Sequence, residues 1–173
     1  MANKKLERAL QVSIAVLLVA LIGIVADAVR EKITEVGDTA PNFTLTADDG
    51  KRVTRSEFGG KLLVLNFWAT WCGPCIEELP SLNEFQKQLA PSGVVVLGVS
   101  VDRNERPYRQ FLKRVNVGFR TARDPEAEIS SSYGTFKYPE TYVIDRDGKV
   151  VQKHIGPRNW MDPKLLSDIR SML

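Results

Sequence analysis

Apolar residues recur along this chain in patterns of different period, and each period predicts a different element. Residues 9–26 are apolar except for Gln11, Ser13 and Gly23. Residues 62–67 form a short continuous apolar run, and 94–101 repeat it, as strands covered on both faces do. Ile76, Leu79, Leu82, Phe85 and Leu89 recur at helical spacing and predict a helix over 76–89. Pro80 lies inside that helix and is expected to kink it. Residues 105–115 predict a second helix, with Pro107 near its first turn, and 126–133 a shorter one. Residues 141–145 read as a strand, Arg146-Asp147-Gly148-Lys149 as a tight turn, and 150–155 as the antiparallel partner. Asp162-Pro163 opens the last helix as its N-cap and first residue, and Leu165, Leu166, Ile169 and Met172 form its apolar face. Upstream, Asp48-Asp49-Gly50-Lys51 is a turn signal that makes a hairpin with 52–54. The order strand, helix, strand, helix, hairpin, helix predicts an α/β domain. Its mixed central sheet is flanked by helices and preceded by an N-terminal β-hairpin extension.

The 173-residue length leaves room for one domain after an N-terminal extension. A formal charge of +3 is too small to imply nucleic acid, and no nucleic-acid motif is present. At ~1.5 Å per residue the tract 9–26 spans about 27 Å of helix, just short of a ~30 Å hydrocarbon core. Lys4, Lys5 and Arg8 precede it, whereas Asp27, Arg30, Glu31 and Lys32 beyond it nearly cancel. The positive-inside rule then leaves the N-terminus in the cytoplasm and the domain outside. The expected organisation is a cytoplasmic N-terminus over 1–8, a transmembrane signal-anchor over 9–28, a linker over 29–36 and the domain over 37–173. A cleaved signal peptide is the competing reading, with Ala26-Asp27-Ala28 as its A-x-A site. Both place the domain where disulfides persist.

The only two cysteines lie in Trp71-Cys72-Gly73-Pro74-Cys75, between the first buried strand and the first helix of the domain. Only a thiolate attacks a disulfide, and a free cysteine with a pKa near ~8.5 is mostly a thiol at neutral pH. The unpaired N–H groups and dipole at a helix start favour an anion there. Pro74 suits the first turn, which has no use for its missing N–H. Cys72 is therefore the expected exposed nucleophile and Cys75 the buried resolving thiol. A pKa lowered to ~7 raises the thiolate fraction at pH 7 from roughly 3% to roughly 50%. The accompanying loss of nucleophilicity cancels about a factor of five. The neighbouring residues thus set redox poise more than speed. A zinc half-site needs more ligands than two cysteines and the distant His154 supply, and an inert disulfide closing so short a loop adds little stability.

Trp-Cys-Gly-Pro-Cys is identical to the active-site signature of thioredoxins. Asn66-Phe67-Trp68-Ala69-Thr70 and Glu78-Leu79-Pro80 resemble the membrane-tethered TlpA/ResA branch of that superfamily. Gly37-Asp38-Thr39-Ala40-Pro41-Asn42-Phe43-Thr44-Leu45 resembles the first strand shared by that branch and peroxiredoxins, with Asn42 where an acidic residue is common. The resemblance spans roughly 37–173 and implies a thioredoxin fold. It implies a thiol–disulfide oxidoreductase, a protein-disulfide reductase whose redox-active Cys72–Cys75 disulfide needs no further cofactor and no metal. Clients would be disulfide-bearing proteins such as apocytochrome c before haem attachment, with a membrane thiol transporter as electron donor, on the periplasmic side of the cytoplasmic membrane.

The resemblance also implies that Pro139, in Lys137-Tyr138-Pro139-Glu140-Thr141, is a cis-proline facing the disulfide. It leaves the backbone of Tyr138 free to pair with an extended client; an ordinary strand-edge proline is the alternative. Tyr138 departs from the small or β-branched residue often found there. Typical thioredoxins bury a carboxylate where this chain has Asn66, and the TlpA/ResA branch carries a glutamate matching Glu78. Glu78 shares a helix face with Cys75, and burial would fit it to exchange the Cys75 proton. A solvated helix glutamate is the alternative. Trp71, Gly73, Pro74, Tyr138 and Pro139 are the expected client-binding residues, and Trp68 is expected to pack in the core. Arg103, Arg106, Arg109, Lys113 and Arg114 read as a solvated basic face, with anionic lipid or an acidic partner as the alternative, and His154 as a surface residue without a role. Two rival activities share the fold. A thiol peroxidase would have proline and Thr/Ser where Leu65 and Ala69 stand, and a copper carrier would space its cysteines by three residues.

Overall fold

The computed structural model describes residues 2–29 and 33–173, in two compact units divided at Lys32. The first unit is one helix, α1 (Ala2–Val29). From Leu10 to Val25 its described side chains are all exposed. Among the described residues no helix is long and apolar enough to cross a membrane. The side chains of Ala26, Asp27 and Ala28, and residues 30–32 of the expected linker, lie outside the described residues.

The second unit contains a five-stranded sheet in the order β5-β4-β3-β6-β7. Strands β3 (Leu62–Trp68), β4 (Val94–Ser100) and β5 (Arg120–Arg123) run parallel, β6 (Glu140–Ile144) runs antiparallel to β3, and β7 (Val150–Ile155) antiparallel to β6. β1 (Thr44–Thr46) and β2 (Arg52–Thr54) form the expected hairpin. Helix α2 (Gly73–Leu89) joins β3 to β4 and continues through Pro80. α3 (Glu105–Arg114) joins β4 to β5, and α4 (Glu128–Ser132) precedes β6. α5 (Pro163–Arg170) closes the chain, with Asp162 accepting from Lys164 N–H and Leu165 N–H at its start. This is the thioredoxin-type α/β fold.

β3 is buried along its whole length, and its alternation sorts two cores. Leu62, Val64 and Trp68 join Leu79, Leu82 and Phe85 of α2, Tyr108 and Phe111 of α3, and Trp160. Leu63, Leu65 and Phe67 face Phe43, Leu45, Val53 and Phe58 of the hairpin region, together with Tyr133 and Tyr142. Each large apolar side chain so buried contributes about 1.5–3 kcal/mol. Trp68 packs against Tyr108 and Phe111, as expected of a core residue. Gly98 permits this packing, because a Cβ there would lie 2.8 Å from Phe119 and 3.1 Å from Trp68 Nε1.

Two features differ from the sequence expectation. β5 was not anticipated; it is an edge strand with arginine at both ends, and charge at an edge masks the apolar alternation. The compact unit also begins at Ile33, inside the expected linker. Thr34 is buried there and its N–H donates to Tyr133 O.

Candidate active site

The cysteines sit at the junction of β3 and α2. Cys72 is the N-cap of α2, with extended φ −92° and ψ 101°, and Pro74 lies in the first turn. Its Sγ accepts a hydrogen bond from Cys75 N–H at 3.2 Å. The helix start thus aims a donor at the sulfur, the arrangement that stabilises a thiolate once the bond is reduced. The two cysteines form a disulfide, with Cα atoms 5.2 Å apart. Cys75 is 1% exposed and Cys72 only 7%. The nucleophile expected to be exposed is therefore the more accessible of the two but is largely covered in the oxidised state. Trp71 beside it is 67% exposed. Its ring meets Tyr138 edge-on at 6.1 Å, and the Tyr138–Pro139 bond is cis.

Glu78 is 3% exposed, one turn along α2 from Cys75. Asn66 shares its face of β3 with Trp68, and its Nδ2 donates to Glu78 Oε1 and to Thr141 Oγ1, both at 2.8 Å. Glu78 Oε2 accepts from Arg158 N–H at 3.1 Å and from Trp160 Nε1 at 3.4 Å. Burial raises the Glu78 pKa above the usual carboxylate value, and these hydrogen bonds pull the other way. A cleft of about 420 Å³ between Pro80, Ser81 and the Pro157-Arg158-Asn159 turn reaches Glu78 from solvent. The geometry suits a carboxyl group that takes up a proton and passes it outward.

His154, expected at the surface, is partly buried, edge-on to Trp160 at 5.7 Å and hydrogen-bonded to Gln152 Oε1 at 3.0 Å. Burial first, and the Arg158 charge second, push its pKa down to about 4. The unfolded chain, with an ordinary value near ~6.5, binds the proton more readily. Stability contributed by neutral His154 is therefore present above pH ~6.5 and lost as pH falls towards 4. After discounting for partial exposure, about 1–2 kcal/mol is expected to disappear over that window. Urea midpoints at pH 7 and pH 4.5 should converge between the two pH values when His154→Gln is introduced.

Sequence reasoning missed two buried acids beside the site. Asp102 follows β4, and its carboxylate accepts from Thr70 N–H, Thr70 Oγ1 and Ser100 Oγ at 2.8, 2.7 and 2.6 Å. It pins the loop leading to Cys72. A useful signal was its place at the carboxyl end of a parallel strand, where sites gather. Glu140, fully buried after Pro139, accepts from Tyr142 Oη at 2.6 Å and pairs with Lys153 Nζ at 3.5 Å. Lys153 Nζ also donates to Thr34 O, tying the start of the domain to the strand behind the cis-proline. Among the described residues no cluster of three or more His, Cys, Asp or Glu side chains is placed to hold a metal ion.

The Redoxin family profile matches residues 35–169. The thiol-disulfide oxidoreductase ResA of Bacillus thuringiensis subsp. konkukian is 37% identical over 127 residues, covering 73% of each chain. ResA of Geobacillus kaustophilus is 34% identical over 153 residues, 86% of this chain and 88% of that one. A crystal structure from Chlorobium tepidum, described as a thiol:disulfide interchange protein DsbE, superposes with a TM-score of 0.75 at 34% identity. It covers 80% of this chain and 98% of its own. The family match spans the cysteines, the Glu78 cluster and the Pro139 loop, and the chain belongs to the Redoxin family as a ResA-like thiol–disulfide oxidoreductase.

Proposed function

We propose that this enzyme works as a reductant of client proteins outside the cytoplasm, with Cys72 as nucleophile, Cys75 as resolving thiol and Glu78 as proton acceptor. The Cys72 thiolate attacks a client disulfide, and one client sulfur leaves with the electron pair. Glu78 then takes the Cys75 proton as Cys75 attacks Cys72. The mixed disulfide breaks, the second client thiolate departs, and the Cys72–Cys75 disulfide remains. Two enzyme thiols are oxidised and one client disulfide is reduced, with protons passing to the client thiolates through Glu78 and solvent. Trp71, Gly73, Pro74, Tyr138 and Pro139 form the client-facing surface.

The observation that carries this reading is the buried carboxyl group of Glu78 on the helix that holds both cysteines. A carboxyl group one turn from the resolving thiol is available to take its proton in the step that releases reduced client. The apolar tract after Lys4, Lys5 and Arg8 supports a membrane anchor over 9–28 with the domain on the periplasmic face. Apocytochrome c fits as client and a membrane thiol transporter as electron donor, because both operate on that side. The redox-active disulfide is the only prosthetic element the reading requires.

The reduction potential tests the direction. A value well below −200 mV is expected, whereas one near the roughly −120 mV of strong oxidants overturns the reductant role. Cys75→Ser in the native membrane should trap clients on Cys72, with apocytochromes among them. Their absence beside abundant secreted folding clients removes the cytochrome assignment.

A further inference from the structure

A groove of about 350 Å³ runs from Thr70 and Trp71 to Arg103, Asn104 and Pro107. Asp102 contributes to its lining, but that carboxylate is buried and holds three hydrogen bonds from Thr70 and Ser100. The exposed charge of the groove is therefore Arg103. Further along α3, Arg106, Gln110 and Lys113 recur at i, i+4 and i+7 and line a second groove of about 440 Å³. Arg109 is matched by Glu105 and Asp48, and Glu105 also meets Arg123. In this region Arg103, Arg106, Lys113 and Arg114 are exposed and have no ion-pair partner among the described residues.

We propose that this surface docks the client segment flanking the attacked cysteine, and that the preferred segment is acidic. The inference rests on Cys72 being the nucleophile. The groove ends at Trp71, one residue before Cys72, so a chain held against Arg103 already lies beside the reacting sulfur. A lipid surface seated on the same cations would cover Trp71 and with it the approach to the disulfide. Opposite charges across such a surface raise encounter rate and partner choice more than total affinity, and salt screens them.

Two synthetic peptides test this, each with one internal disulfide. They are identical except that the four residues flanking the target cysteine are aspartates in one and lysines in the other. The reduced full-length protein in detergent micelles should reduce the acidic peptide with about tenfold higher kcat/KM at low salt, falling to about twofold in 0.5 M salt. The ratio between peptides is the readout, so a loss common to both does not enter it. Arg103→Glu with Arg106→Glu should invert the ratio, and Arg103→Lys with Arg106→Lys should preserve it. A ratio near one in the unaltered protein, or one unmoved by the glutamate pair, overturns the proposal. Loss of binding to anionic phosphatidylglycerol vesicles in the glutamate pair, with the peptide ratio unchanged, assigns the patch to lipid instead. If the unaltered protein reduces neither peptide, the exchange chemistry of Cys72 has failed and docking fails with it.

Discussion

Cys72→Ser is expected to lower insulin-disulfide reduction by at least about a thousandfold, because a serine hydroxyl at neutral pH does not replace a thiolate as attacking group. Cys75 offers no substitute. It is 1% exposed, on the first turn of α2 and behind Cys72. Losing the disulfide should leave the protein folded, since a loop closed across three residues stabilises by about 2 kcal/mol on the chain-entropy estimate. Turbidity of reduced insulin measures the activity, and urea unfolding of the variant confirms the fold. The contrasting Cys75→Ser should still form the mixed disulfide but release client slowly. Insulin reduction that persists after Cys72→Ser would refute the assignment of the nucleophile.

The second large effect is expected from Glu78→Gln. A positioned general base is typically worth 10²–10⁴-fold, and we expect about a hundredfold loss in the step that resolves the mixed disulfide. First attack by Cys72 should change far less, because Glu78 lies one turn beyond Cys75. The pH dependence separates the role from mere packing. Resolution requires ionised Glu78, so in the unaltered protein its rate should rise with pH through a pKa lying above the ordinary carboxylate range. In Glu78→Gln that limb should vanish and leave only the ionisation of Cys75. Single-turnover release of a fluorescent client thiol from pH 5 to 9 makes the comparison. An unchanged profile, with or without a slower rate, would reduce Glu78 to a structural residue held by Asn66, Arg158 and Trp160.

Much of this site was legible before any fold was known, because its signals are local. Pro74 after Cys72-Gly73 marks the first turn of a helix, and the structure makes Cys72 its N-cap. The apolar run before it became β3, and Asp162 before Pro163 became a two-bond cap. Glu78 was picked out by its offset from Cys75, and its burial agrees with the expected raised pKa. The residues that surround it were not legible as partners. Asn66, Thr141 and the Arg158-Asn159-Trp160 turn lie far apart along the chain and meet only where β3, β6, α2 and the turn before α5 converge.

The same distinction accounts for the departures. His154 sits on an edge strand whose spacing reads as half-solvated, yet Trp160 covers it from another element. Asp102 and Glu140 look like surface acids at strand ends, but their partners arrive from the β3–α2 loop and from β7. β5 shows weak apolar alternation because it lies at an edge, and its pairing with β4 defines it. From sequence alone came the cysteine pair, the helix start beside it, and the strand that leads to it. Capping, periodicity and motif spacing act within a few residues, so they are written in the chain itself. Tertiary structure alone decided which acids are buried, what holds Glu78 and how far Cys72 is covered. Burial and hydrogen bonding across a sheet depend on elements brought together only when the chain has folded.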